Sequence, residues 1–399
     1  MKESRSSINL FISLLFVALM STMAANAQDN IVFRSLTYFS EILLILYTYY
    51  YSIIKHHHPL INNSIIIVGV ILLFNYLLSP NDPNFSDLLK IFGYLCCFKY
   101  GSSLALKKSD LYVNKYLLFL LIIIPAVIVG LFDKTEKKML FFAISNVFVY
   151  LGVAMALLFT LLYGGKKKML YVAWGILLLY LVVGTSLGVI VAICLSVFIL
   201  NFKRKYLPSL MLGGIILVLA IIYIDIPVFV RIRDVFALWN TLDKDDLANV
   251  SDLNLYELSQ RADRQGERTD TTSAIWRFAQ WLGLLTEYVK SIWNIPFGLG
   301  AGFSVKKTGV PPHNDYILLL IEYGIFVLAY FLSFVKKVYK KLKGYPAIYF
   351  ILSMFIYHLT ENLIFMFPAN AILYFSIGYL LCKNDIEKTQ FKAESVNIQ

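Results

Sequence analysis

The chain has 399 residues, of which 59% are hydrophobic and only 15% charged, and its mean hydropathy is +0.68. A water-soluble domain has no use for so much apolar sequence, whereas a bilayer core of about 30 Å demands apolar runs of about 17–25 residues. The composition therefore excludes a soluble enzyme and sets the fold class as all-α, a polytopic membrane protein. The formal charge of +11 suggests nucleic acid only until the basic residues are mapped, and then it does not.

Apolar runs place candidate spans at 8–24, 37–54, 60–79, 88–106, 112–131, 139–163, 169–183, 186–202, 207–224, 313–335, 345–361 and 364–382, about twelve in all. The first has two readings. Lys2, Arg5, a short apolar core and Ala25-Asn26-Ala27 also resemble a cleavable signal peptide. Basic residues at Lys55, Lys107-Lys108, Lys166 to Lys168, Lys203 to Lys205, Lys336 to Lys343 and beyond Cys382 follow alternate spans, so the positive-inside rule makes those loops and both termini cytoplasmic. Asp133 to Lys138 dissents, with three lysines on the expected outer side. The chain then divides into an N-terminal transmembrane bundle (1–224), a long extracytoplasmic loop (225–312), C-terminal transmembrane helices (313–382) and a cytoplasmic tail (383–399).

The long loop carries ten Lys and Arg against eleven Asp and Glu, so the whole positive excess lies elsewhere in the chain. Six of the nine arginines nevertheless sit in it: Arg231, Arg233, Arg261, Arg264, Arg268 and Arg277. A guanidinium fork holds phosphate oxygens in pairs, which an ammonium does not. For any one of these arginines the loop's own eleven acids are the expected partners, ahead of a phosphate. Arg277 differs, because Ile275, Trp276, Phe278 and Trp281 surround it. Residues 273–293 have the period of an amphipathic helix, with Ile275, Phe278, Leu282, Leu285, Val289 and Ile292 on one stripe. It is too polar to span and is expected to lie along the outer interface or to dip into the protein, with its tryptophans at headgroup depth. Pro296 then breaks it, and Gly298, Gly300 and Gly302 allow close backbone approach. No strand precedes this glycine run, so it is no dinucleotide fingerprint.

Cys96, Cys97, Cys194 and Cys382 lie in or beside apolar runs and read as buried thiols without metal-ligand spacing. Charges within spans are Glu41, Lys90, Lys99 and Glu322. His56 to His58 read as solvated. His358, with Glu361 and Asn362 near it, has two readings: an outer cavity, or hydrogen bonding between helices.

The polar groups concentrate where Pro311-Pro312 lead into His313-Asn314-Asp315 and an apolar run. This reads as a loop entering a membrane helix whose N-terminus, with its free N–H groups, suits an anion. Glu322 lies nine residues further on, roughly 13 Å deeper at about 1.5 Å per residue, and reads as orienting the helix.

With His313-Asn314 and Gly324, the passage from Arg277 to Trp281 and the turn Asn294-Ile295-Pro296-Phe297-Gly298-Leu299-Gly300, the chain resembles the O-antigen polymerase and O-antigen ligase family of bacterial envelopes. Three departures stand out. Ile295 splits the Asn-Pro pair, Val327 breaks the ligase pattern, and Thr185-Ser186-Leu187-Gly188 lacks the arginine of the family's Ser-Arg.

The resemblance implies a C-type (GT-C-like) membrane glycosyltransferase. Such an enzyme takes a glycan from undecaprenyl diphosphate on the outer face of the cytoplasmic membrane and passes it to a glycan or lipid acceptor. It implies catalytic roles for His313 and Arg277. It implies donor contacts for Arg268, Arg264, Asn314, Gly300, Gly302 and Glu322, and a flippase and chain-length regulator as partners; separately, no metal or cofactor is expected. His313 would be a general base or a diphosphate contact. A polymerase of repeat units is the leading expectation, with a ligase as alternative and a transporter or flippase behind both.

Overall fold

A bilayer cannot hydrogen-bond backbone groups, so apolar segments satisfy them within helices. The computed structural model describes residues 2–28, 31–54, 63–81, 83–106, 111, 113–132, 145–163, 167–184, 186–202, 219, 222–223, 233 and 270–396. Among these residues every regular element is a helix and none is a strand. In chain order they are α1 (Lys2–Gln28), α2 (Ile31–Tyr49, continued by a π-helical turn Tyr50–Ile54), α3 (Asn63–Leu77), α4 (Phe85–Leu106), α5 (Lys115–Phe132), α6 (Ser145–Tyr163), α7 (Lys167–Val183) and α8 (Leu187–Asn201). They continue with α9 (Asp270–Val289), α10 (Asn294–Phe297), α11 (Phe303–Thr308), α12 (Asp315–Leu342), α13 (Ile348–Tyr357) and α14 (Phe367–Val396).

Among the described residues three helices are long and apolar enough to cross a membrane, over Ser6–Ala25, Ile31–Ser52 and Asp315–Leu342. Shorter apolar helices cover Lys115–Val129, Val147–Tyr163, Lys168–Val183, Gly188–Asn201 and Ile348–Tyr357. The expected span 207–224 and the loop Asp133 to Lys138 fall almost wholly outside the described residues, as do His56 to His58.

The core is built on α1, α4, α6, α13 and α14. Phe11 stacks on Phe375, and Tyr100 packs tilted against both rings. The Ser7 hydroxyl bonds the phenols of Tyr47 and Tyr100, each at 2.8 Å. The segment with a signal-peptide pattern is thus packed as a core helix, with Phe11, Ile12, Leu15 and Leu19 buried. α4 and α14 approach closely because Gly101 and Gly378 have no side chains: a Cβ at either would strike the other helix's backbone at Phe375 or Phe98. Cys96 and Cys97 are buried as expected, but Cys194 is exposed on α8.

The amphipathic segment forms α9 close to its expected bounds, with a different face turned inward. Gln280, Leu284 and Tyr288 are buried, while Val289 and Ile292 are exposed. The inward face is chosen by polar anchors as well as by apolar area. Gln280 Nε2 donates to Thr308 Oγ1 (2.8 Å) and to the Val310 carbonyl (3.0 Å), and Tyr288 donates to the Ile295 carbonyl (2.6 Å).

α12 is broken at Gly324, which takes φ +83° and ψ 175°. The break releases the carbonyls of Ile321 and Glu322, which accept from Leu299 N (2.7 Å) and Gly300 N (3.2 Å). The glycine turn after α10 therefore supplies the donors that the interrupted helix has lost, as backbone in an apolar setting requires.

Candidate functional site

The loop from α9 through α11, the start of α12 and the turn between α13 and α14 meet at one end of the bundle. Arg277 and His313 converge there on Glu361. Arg277 Nη2 lies 3.1 Å from Glu361 Oε1, and His313 Nδ1 lies 3.0 Å from Glu361 Oε2. Arg277 Nη1 also donates to the Thr360 carbonyl at 3.1 Å. The guanidinium is fixed by two points on one turn, in the planar manner arginine allows. Glu361 is 8% exposed, against 27% for Arg277 and 24% for His313, so the carboxylate is covered while both of its partners reach toward solvent.

A second histidine–carboxylate pair lies beneath the first. His358 Nδ1 bonds Asp315 Oδ2, and the same oxygen accepts from Leu363 N at 2.8 Å. Asp315 N in turn donates to the His358 carbonyl at 2.8 Å. Asn370 Nδ2 donates to the Leu363 carbonyl (2.7 Å), which turns its Oδ1 toward Tyr150; the Tyr150 hydroxyl donates to that oxygen (2.7 Å) and so accepts from His358 Nε2 (3.1 Å). His358 takes up hydrogen bonding between helices, and its side chain is 4% exposed.

The remaining expected site residues divide into scaffold and surroundings. Asn314 is the N-cap of α12, and its Oδ1 accepts from Tyr316 N and Ile317 N, each at 3.0 Å. With Asp315 N given to His358, the first N–H groups of α12 are satisfied within the protein. The expected anion seat at this helix N-terminus is thus filled by the chain's own Asn314. Glu322 does not approach His313. Its carboxylate accepts from Gly302 N (3.0 Å) and Ser304 N (3.1 Å) and caps α11. Gly300 and Gly302 shape this same turn, both with positive φ. They face the α3–α4 connection, where Ser79 Oγ donates to the Ala301 carbonyl (2.6 Å) and Asn81 Nδ2 to the Leu299 carbonyl (3.2 Å). Arg264 and Arg268 lie outside the described residues.

Sequence reasoning set Glu361 beside His358 but did not connect it to Arg277 or His313; it placed Asp315 in the polar cluster without giving it a role, and it missed Tyr150 and Asn370 altogether. The usable signal was the density of polar groups in His358-Leu359-Thr360-Glu361-Asn362 between two apolar helices. Ser186, in the stretch matched to the family's Ser-Arg, lies at the same turn, 3.0 Å from the Tyr357 hydroxyl. On the other side of the glycine turn an apolar groove of about 520 Å³ is lined by Phe74, Asn75, Ser79, Phe297, Leu299 and Gly300. Among the described residues no cluster of His, Cys, Asp or Glu suits a metal ion. Against family models and curated proteins the chain finds no match.

Proposed function

We propose that this chain is a membrane glycosyltransferase that polymerises undecaprenyl-diphosphate-linked repeat units into O-antigen, capsule or exopolysaccharide. The observation that carries the reading is the convergence of Arg277 and His313, far apart in sequence, on one carboxylate at a bundle end. Transfer from a lipid diphosphate needs fixed positive charge where the leaving group gains negative charge, and a base for the acceptor hydroxyl. Arg277 is the group for the first task and His313 for the second. The guanidinium is held by Thr360 and Glu361, so it is preorganised and does not have to be ordered by substrate. The apolar groove beside Phe297 and Leu299 suits part of a polyprenyl chain, with Ser79 and Asn75 at its polar edge.

In this reading the protein is a GT-C-like bundle of about twelve spans in the bacterial cytoplasmic membrane, with the His313 end outward. Its partners are the lipid-linked donor, a glycan or lipid acceptor, a flippase and a chain-length regulator. Val327, which departs from the ligase pattern, favours polymerase over ligase.

A surface-glycan gel on a strain lacking the gene tests it. Single repeat units with the long ladder gone mean polymerase. Long chains left on undecaprenyl diphosphate mean ligase, and an unchanged pattern returns the transporter reading. Restored with His313→Ala, the strain should hold normal amounts of protein and make no ladder; a normal ladder there removes His313 from the chemistry.

A further inference from the structure

Two segments exchange histidine–carboxylate contacts crosswise. His313 of the first bonds Glu361 of the second, while Asp315 of the first bonds His358 of the second. We propose that Glu361 is a positioning residue that fixes which nitrogen of His313 carries the proton, and that the buried Asp315–His358 pair holds Glu361 in register. This rests on the reading of His313 as the group that takes the acceptor's proton.

A carboxylate only accepts hydrogen bonds, so the 3.0 Å contact requires the proton on His313 Nδ1. In the neutral ring the lone pair is then on Nε2, the nitrogen that must act as base. A histidine held by a carboxylate at one nitrogen and basic at the other is a general arrangement for proton abstraction. Glu361 is a better orienter for being held itself. Its other oxygen is on Arg277, and its turn is anchored on both sides: at Thr360 by Arg277, and at His358 and Leu363 by Asp315. Tyr150 and Asn370 lock His358 from the far side. Asp315 also opens α12, two residues from His313, so the clamp fixes both partners of the working pair to each other.

Glu361→Gln separates this role from the support of Arg277. The carbonyl oxygen of glutamine can still accept from Arg277, but its amide group would face His313 Nδ1 and donate to it. The ring proton moves to Nε2 and the base is lost. The experiment uses the full chain in lipid vesicles with the host's undecaprenyl-diphosphate-linked repeat unit as donor, and measures turnover and donor KM for wild type, Glu361→Gln and Glu361→Asp. Expected is a fall in turnover of roughly a hundredfold for Glu361→Gln with donor KM within about twofold. Glu361→Asp, which keeps the charge on a shorter stem, should lose roughly tenfold. Wild-type turnover in Glu361→Gln, or a loss wholly in KM, overturns the proposal. Should Glu361→Gln fail to accumulate, Glu361→Asp decides by the same two criteria. A wild-type chain that transfers nothing overturns the glycosyltransferase reading and this inference with it; a fully active Glu361→Gln overturns the inference alone.

Discussion

The two ends of the bundle use the same kinds of residue in opposite ways. At the Lys341 end, Lys341 Nζ reaches both oxygens of Asp385 at 2.7 Å, Tyr345 bonds Glu387 at 2.6 Å and Tyr349 bonds Asn201 at 3.0 Å. All four contacts are water-exposed, and Asp385 is 55% exposed. At the His313 end, Glu361 is 8% and Asp315 1% exposed; both Glu361 oxygens and Asp315 Oδ2 have side-chain or backbone partners, while Asp315 Oδ1 is buried without one among the described residues. Charge left in water needs no partner, whereas charge taken out of water must be matched or it costs several kcal/mol. A chain that needed only to sit in a membrane could place all its charge as it does at the Lys341 end. The covered carboxylates at the other end are what the proposed site is built on.

The sharpest way to break the comparison is to leave every charge in place and disturb the turn that supports them. Gly324 has φ +83°, and a Cβ there would meet the Pro296 carbonyl. Gly298 faces Glu322 in the same way from the other side. Gly324→Ala must move either the helix break or the turn, and both carry hydrogen bonds with no water to replace them. The expected cost is about 3 kcal/mol or more, enough to remove most of the protein from the membrane fraction on an immunoblot. Wild-type abundance would show that the turn and α12 are not locked together.

How much of this was legible in the sequence follows from how far each signal reaches along the chain. Helices α4, α7 and α8 lie within a few residues of their expected spans, because hydropathy is a local property. The amphipathic segment was legible as a helix, but its inward face was not. Gln280 and Tyr288 are drawn in by partners at Thr308 and Ile295 that no periodicity records. His313 and Arg277 stood out by their surroundings, yet the residue that unites them is in a turn that reads as an ordinary helix boundary. The free N–H groups expected at the start of α12 were misjudged for a visible reason: Asn314 is a strong N-cap residue and fills the place given to a ligand. Glu322 was legible as a helix-orienting charge, and the structure supplies its object, the backbone of Gly302 and Ser304.

A milder change tests the exposed end. Lys341→Ala deletes the ion pair to Asp385 that joins α12 to α14. A pair in water, with the side chains' entropy set against it, contributes less than about 1 kcal/mol. The melting temperature in detergent should therefore move by a few degrees at most, and glycan output should be unchanged. A loss of output as complete as that of His313→Ala would mean that the two ends are not independent.

The smallest effect sharpens the comparison by separating exposure from location. Glu287 sits on α9, at the same end as the covered carboxylates, but it pairs in water with Lys290 (2.8 Å) and Lys307 (3.0 Å). The hydrogen bonds from Lys290, then those from Lys307, hold its carboxyl below the ordinary value of 4.5. A carboxyl whose folded value is depressed binds its proton more readily in the unfolded chain. Its contribution is therefore complete above the ordinary value and is lost as pH falls through the folded one. Wild type should melt slightly above Glu287→Gln at pH 6, by less than about 1 kcal/mol, and the difference should close as the pH is lowered past about 4.5 toward 3. A gap that widened on acidification, or one as large as that of Gly324→Ala, would mean that location at the site end outweighs exposure to water in setting what a charge is worth here.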